Sequence, residues 1–175
     1  MRYSAKPALI LMTAVALCSG GCHEVNDDRI PQMPVQISMA DPALWNSYGV
    51  AGFGIFRYFT LQTSPVQPSG FPYLSDSRTG FGGVLLIGGM DPYTGDTNTP
   101  LAYDLSCPVE RSPEIRVYVD PVSFDAICPV CGSHYDVTMA AGNPISGPAS
   151  NKHNRYGLKR YRCLPTTFGG YIVSY

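Results

Sequence analysis

The stretch ICPVCGSHYD, residues 127–136, determines how the rest of this chain is organised. Cys128 and Cys131 form a Cys-x-x-Cys motif, and two thiolates at that spacing can turn back onto one metal centre. Gly132 allows a tight backbone turn directly behind the second sulfur. Ser133 brings a hydroxyl near the thiolates, where it can donate a hydrogen bond from outside the ligand set. The motif therefore predicts a thiolate site in the turn between two strands.

Two further segments belong with this motif. Gly147 and Pro148 predict a rigid loop that folds back over the Cys-x-x-Cys turn. Upstream, the sequence Cys107-Pro108-Val109 places a third cysteine at a strand end, with twenty residues between it and Cys128. The pattern Cys-Pro-x-x-Gly-Ser-x-Tyr-Asp followed by Gly-Pro-Ala resembles the second cluster-binding box of Rieske iron–sulfur domains, and the segment at Cys107 resembles the first. The resemblance covers roughly residues 82–175.

The resemblance implies an all-β fold, namely a Rieske-like β-sandwich or small barrel. Its two boxes, at residues 107–110 and 128–149, are expected to form a cluster-binding loop subdomain. It also implies a 2Fe–2S cluster with an electron-transfer or other redox role. A Rieske centre takes two thiolates on one iron and two histidines on the other. Here Val109 and Cys131 occupy the two histidine positions, so three sulfur ligands remain and no family histidine does.

The predicted metal ligands are Cys107, Cys128 and Cys131. A complete site needs a fourth donor, and the nearby polar candidates are Glu110, His134 and His153. Three alternatives stay open at this point: an iron–sulfur cluster, a tetrahedral zinc ion, or a metal-free fold in which two of the thiols form a disulfide. Cys163 lies in a predicted hairpin that the resemblance places at the base of the domain, so it is expected to be a separate buried or free thiol.

The sequence offers little for independent catalysis. It has no evident pair of nucleophile and base, and no glycine loop that leads from a strand into a helix for nucleotide phosphates. Rieske domains of enzymes are fused to a catalytic domain or work beside one. The chain is therefore expected to be an electron-transfer component at most, with an unidentified redox or envelope protein as partner. The alternative is a binding or structural module of the cell envelope.

The N-terminal residues predict that the protein is exported from the cytoplasm. Residues 1–21 carry basic residues, a short apolar run and then small residues, which is typical of a secretory signal. Cys22 follows as the expected lipid attachment site, although Cys18 and an ordinary signal peptide are alternatives. Residues 22–34 are polar and acidic and predict an extended tether. The resemblance to bacteroidete-type lipoproteins implies the outer membrane, on its periplasmic side or at the cell surface.

The amino-acid composition limits the kinds of binding partner that are expected for this protein. Charged residues make up only 14% of the chain and form no basic run, so no nucleic-acid partner is expected. The lipid anchor makes the membrane the one partner that the sequence specifies. Residues 35–175 are predicted to form a single domain.

Short strands separated by Gly and Pro turns dominate this domain. The clearest predicted strands are residues 35–39, 84–87, 101–105, 115–119 and 122–127, followed by a closing hairpin of 156–162 and 171–174. Residues 84–87 form a continuous apolar run, which is typical of a strand buried on both faces. Asp41 and Pro42 predict one short helical turn. Phe53 and Phe56 are expected to pack in the core. No longer helix is predicted.

Overall fold

The computed structural model describes residues 24–151, 153 and 155–175. Strands hold 33% of the residues and helix 5%, so the predicted all-β class is confirmed. The elements in chain order are β1 (Val25–Asn26), β2 (Val35–Met39), α1 (Pro42–Tyr48), β3 (Phe56–Phe59), β4 (Arg78–Thr79), β5 (Val84–Ile87), β6 (Leu101–Asp104), β7 (Tyr118–Val119), β8 (Asp125–Ile127), β9 (His134–Asp136), β10 (Asn143–Ser146), β11 (Arg155–Tyr156), β12 (Arg160–Pro165) and β13 (Tyr171–Ser174).

The largest sheet has seven antiparallel strands in the order β3-β5-β6-β12-β13-β2-β4 and curls into a nearly closed barrel. A second sheet has four strands in the order β10-β9-β8-β7. The short strands β1 and β11 pair in parallel beside them. The Cys-x-x-Cys motif lies on the connection between two strands of the four-stranded sheet. Strand β8 ends one residue before Cys128, and β9 begins one residue after Ser133.

Strand β5 contributes side chains to both core clusters of the molecule. All four of its side chains are buried. Because successive side chains of a strand point to opposite faces, Leu85 and Ile87 enter one core cluster while Val84 and Leu86 enter the other. The first cluster includes residues of the four-stranded sheet and the cysteine segments. The second cluster combines residues from β2, β3 and β13, such as Ile37 and Val173. The continuous apolar run predicted a doubly buried strand, and this prediction is confirmed.

The carboxylate of Asp104 ties the end of β6 to two neighbouring segments. Its side chain is fully buried. It accepts hydrogen bonds from the backbone N–H groups of Phe81 (3.0 Å), Gly82 (3.2 Å) and Ser106 (2.7 Å), and from the hydroxyl of Tyr161. Burial, and then the charge of Asp104, raise the pKa of Tyr161, which keeps its phenol protonated as a donor. A buried charge of this kind is tolerated only because these donors replace water.

Some predicted elements are shifted in the structure. The strand predicted at 115–119 enters a ladder only at Tyr118 and Val119, since its first residues bond instead to the segment that leads to Cys107. The closing hairpin pairs Arg160–Pro165 with Tyr171–Ser174, three to four residues later in its first arm than predicted. The predicted helical turn is present as α1, with Asp41 as its N-cap.

Phe53 was predicted to pack in the core, and this prediction is wrong. Its side chain is 53% exposed, and its ring makes a T-shaped contact with the ring of Phe124 at a centroid distance of 6.1 Å. Phe53 precedes strand β3, so the alternation of that strand does not turn it inward. Phe56, inside β3, is partly buried against the first core cluster as expected.

The sequence predicts an extended tether over residues 22–34, and this prediction is wrong for residues 25–30, which pack against the domain. Strand β1 pairs with β11, and Ile30 is buried. The ammonium group of Lys159, itself almost fully buried, binds the carboxylate of Asp28 at 2.9 Å. Burying a lysine requires a nearby acceptor, which this segment supplies. Cys22 and the predicted signal, residues 1–21, lie outside the described residues.

Within the part of the chain that the structure describes, no helix combines the length and apolar character needed to cross a membrane.

Replacing Asp104 by Asn is expected to lower the free energy of unfolding by about 2–4 kcal/mol, because an amide presents N–H donors toward backbone donors that now lack an acceptor. Urea unfolding followed by circular dichroism measures the change. Asp76→Asn is the matched control, since Asp76 is exposed. Equal stability of the two variants would contradict the structural role of the Asp104 network.

Candidate metal centre

Three cysteines reach the site on two turns. Cys107 follows β6 and begins a turn in which the N–H of Arg111 donates to the Cys107 carbonyl at 2.9 Å. Cys128 and Cys131 lie on the turn between β8 and β9. There the N–H of Gly132 donates to the Cys128 carbonyl, and the N–H of Cys128 donates to the Ser133 carbonyl, both at 3.0 Å. These bonds fold the Cys-x-x-Cys segment into a closed turn, as the sequence predicted.

The three sulfurs lie together. The Sγ atoms of Cys107, Cys128 and Cys131 are all within 4.8 Å of one another, and the distance from Cys107 to Cys131 is 3.7 Å. Cys107 and Cys128 are buried, whereas Cys131 is partly exposed. In the described residues this is the one group of three or more His, Cys, Asp or Glu side chains close enough to hold a metal ion. The structure thus brings together three cysteines that could bind a metal.

Ser133 joins the Cys-x-x-Cys turn to the loop between β10 and β11. Its buried hydroxyl oxygen accepts the N–H of Ala149 at 3.0 Å and lies 3.1 Å from the sulfur of Cys131. If Cys131 is a thiolate, the Ser133 O–H can donate to the sulfur. The loop fits closely because Gly147 lies against the backbone of Gly132 and Ser133. The predicted fold-back of Gly147 and Pro148 over the turn is therefore confirmed.

Tyr135 is a site residue that the sequence did not predict. Its hydroxyl lies 3.4 Å from the sulfur of Cys107, and its side chain is fully buried. Alternation along the chain could have predicted this position. Ser133, which directly precedes β9, is expected at the thiolates, and Tyr135 two residues later points to the same side. The same alternation sends His134 to the opposite side.

Burial raises the pKa of the Cys107 thiol to about 12, although the Tyr135 hydroxyl and then the backbone N–H groups of Glu110 and Val109 oppose this change. Burial, followed by the neighbouring Cys107, also raises the pKa of Tyr135. The phenol therefore stays protonated and can donate to the sulfur once Cys107 is a thiolate. Cys107 is a thiol at neutral pH in the metal-free protein, and a bound cation would displace its proton.

The structure brings none of the three candidates for a fourth ligand into the cysteine group. His134 is paired with Asp125, with 3.4 Å between Nδ1 and Oδ2. His153 is exposed and lies on a turn in which its backbone N–H donates to Asn151. Val109 packs with the first core cluster and has no donor atom. The site thus consists of three sulfurs, with partly exposed Cys131 at its outer side.

Cys163 belongs to a different part of the molecule. It lies in β12 and packs against the second core cluster, whereas the other three cysteines belong to the first cluster. Burial raises its pKa to about 12. Its separation from the three-cysteine group agrees with the sequence-based expectation.

No protein-family model matches this sequence, and no curated protein matches it either.

Replacing Gly147 by Ala is expected to destabilise the protein by about 2–5 kcal/mol. A left-handed conformation costs a non-glycine residue about 1–2 kcal/mol, and Gly147 has φ +77°. Its added Cβ would also lie 2.7 Å from the Cα of Ser133, and such overpacking costs about 1–3 kcal/mol more.

The matched control is Gly95→Ala, because Gly95 has φ +72° but no atom within 4 Å of an added Cβ. Urea unfolding of both variants isolates the steric part of the effect. A Gly147 variant no less stable than the Gly95 variant would contradict the contact between the loop and the turn.

Proposed function

We propose that this protein is a metal-binding protein of the cell envelope whose centre is a single tetrahedral ion held by the thiolates of Cys107, Cys128 and Cys131. The observation that carries this proposal is the spacing of the sulfurs, all within 4.8 Å of one another. Metal–sulfur bonds of about 2.3 Å in a tetrahedral site place sulfurs about 3.8 Å apart. The 3.7 Å between Cys107 and Cys131 fits that value.

The donor set favours zinc among the available ions. Thiolates select soft or borderline metals such as zinc, iron in clusters, and copper(I). Zinc with three protein ligands commonly keeps water or an external ligand in the fourth position. Partial exposure of Cys131 gives such a ligand access from solvent. The apolar Val109 beside the site supplies no fourth donor, so that donor comes from outside the cysteine set.

A 2Fe–2S cluster with an electron-transfer role is the second candidate, favoured by the hydroxyl groups at the sulfurs. Ser133 and Tyr135 lie 3.1 Å and 3.4 Å from the sulfurs of Cys131 and Cys107. Hydrogen bonds to cluster sulfurs are one of the means by which proteins set reduction potentials. The resemblance to Rieske domains supports the same candidate. Thiolate in place of histidine would give a lower potential than that of Rieske centres, because added negative charge stabilises the oxidised cluster.

The expected location supports either candidate. A lipid anchor at Cys22 would hold the protein at the outer membrane, with an envelope or redox protein as its partner. Metal binding would also protect these thiols in an oxidising compartment, where unprotected cysteines tend to pair.

Metal analysis of protein purified without oxygen tests the proposal and separates the two candidates. We expect about one zinc per chain, no visible absorption, and loss of the metal in Cys107→Ser, Cys128→Ser and Cys131→Ser. Cys163→Ser is the matched control and should keep its metal. Two irons per chain with visible absorption would favour the cluster instead. Metal-free wild-type protein that also fails to take up zinc would refute both candidates.

Zinc affinity should fall as the pH is lowered from 8 to 6. The raised pKa of Cys107 means that its thiol carries a proton throughout this range, and zinc must displace that proton to bind. Each displaced proton lowers the apparent affinity about tenfold per pH unit, so a decrease of at least that size is expected. Competition with a chromophoric chelator, corrected for the chelator's own protonation, measures it. A pH-independent affinity would exclude Cys107 as a ligand.

A further inference from the structure

We propose that Cys131 and Cys107 form a redox-active dithiol: Cys131 takes the first covalent modification from a low-molecular-weight disulfide, and Cys107 then converts it into an intramolecular disulfide. The proposal rests on the proposed function in one respect, since the same thiols hold the metal and their oxidation would release it. The dithiol chemistry itself concerns only the chain's own residues.

The positions of the two sulfurs carry the inference. Their separation is 3.7 Å, close to van der Waals contact, whereas a disulfide bond is about 2.05 Å long. The pair joins two different turns, and an added Cβ on the neighbouring Gly132 would meet no atom within 4 Å. The outer side of the Cys131 turn is therefore open. Formation of the bond requires the two sulfurs to approach each other by about 1.7 Å.

The solvent exposure of the three cysteines determines which of them an external disulfide modifies first. Cys131 is partly exposed, while Cys107 and Cys128 are buried. Access decides which sulfur meets an external disulfide first, so Cys131 is the entry point. Cys107 lies beneath it and can reach the mixed disulfide that forms there. Cys128 is the competing partner, and a Cys128–Cys131 disulfide is therefore one of the outcomes that the experiment below distinguishes.

The reaction balances as two thiol–disulfide exchanges. The Cys131 thiolate attacks one sulfur of the external disulfide, forms a mixed disulfide, and releases one small thiolate. The Cys107 sulfur then attacks the Cys131 sulfur, and its proton passes to the second small thiolate, which leaves as a thiol. Overall the protein dithiol loses two electrons and two protons, and the external disulfide is reduced to two thiols.

Metal release would follow from the lost ligands. A disulfide between Cys107 and Cys131 removes two of the three thiolates, which leaves Cys128 as the remaining protein sulfur at the site. Disulfide sulfurs are poor metal ligands, because the thiolate is the form that binds. Oxidation and metal occupancy would thus exclude each other at this centre.

Oxidised glutathione applied to the metal-free and the zinc-loaded full chain tests the proposal. Peptide mapping without reduction should find a Cys107–Cys131 disulfide in both samples. The zinc-loaded sample should release about one zinc per disulfide formed, measured with a chromophoric chelator. Cys163→Ser, the matched control, should behave like the wild type.

Cys107→Ser should trap glutathione on Cys131, and Cys131→Ser should react at least about tenfold more slowly than the wild type. If either variant fails to fold, a wild-type time course replaces it, with the mixed disulfide at Cys131 expected before the internal disulfide. A Cys128–Cys131 disulfide, first modification at Cys163, or unreacted thiols in the metal-free protein would overturn the proposal.

The two proposals fail separately. A Cys107–Cys131 disulfide in a protein that never binds metal would refute the proposed function and leave the dithiol intact. A zinc-binding protein whose metal-free thiols do not pair in this way would refute only the dithiol.

Discussion

The hydroxyl of Ser133 is the contact on which the geometry of the cysteine centre depends. It accepts the N–H of Ala149 from one loop and approaches the sulfur of Cys131 in another. Gly147 makes this possible, because a side chain there would meet the backbone of Ser133. The loop therefore covers the Cys-x-x-Cys turn and buries the hydroxyl. A buried hydroxyl without partners would be costly, so the loop and the turn stabilise each other's position.

The barrel supplies the rigid base for this arrangement. Alternation along β5 divides its side chains between the two core clusters, and the first of these clusters continues without a break into the cysteine segments. Backbone hydrogen bonds of Cys107 with Ile115 and of Val117 with Leu105 extend β6 toward the smaller sheet. The Cys107 turn is thus held on the same framework as the Cys-x-x-Cys turn. The sulfur of Cys107 and the two sulfurs of the Cys-x-x-Cys turn, which are distant in sequence from it, converge because both sheets contribute to the first core cluster.

Burial has opposite consequences for the thiols and for a bound ion. It makes the Cys107 thiolate unfavourable in the metal-free protein, as the raised pKa of its thiol records. A bound cation neutralises the buried charge of the thiolate and a covalent bond removes it, so either one relieves that penalty. The hydroxyl groups of Tyr135 and Ser133 can then donate to whatever sulfur charge remains. Metal binding and disulfide formation are therefore alternative ways to satisfy the same buried sulfurs.

The sequence by itself determined the all-β class, the doubly buried β5, the capped turn at Asp41, and the Cys-x-x-Cys turn with its covering loop, because each follows from local spacing and turn chemistry. It also nominated all three cysteines of the centre. It did not predict the position of Tyr135 at Cys107, the exposure of Phe53, or the contact of Asp28 with the buried Lys159. Those features depend on which surfaces pack together. Strand alternation predicts the side of a strand on which a residue lies, but it does not predict which residues face that side. Only the tertiary structure decided that the sulfurs lie within bonding range of one ion while His134 turns away to Asp125.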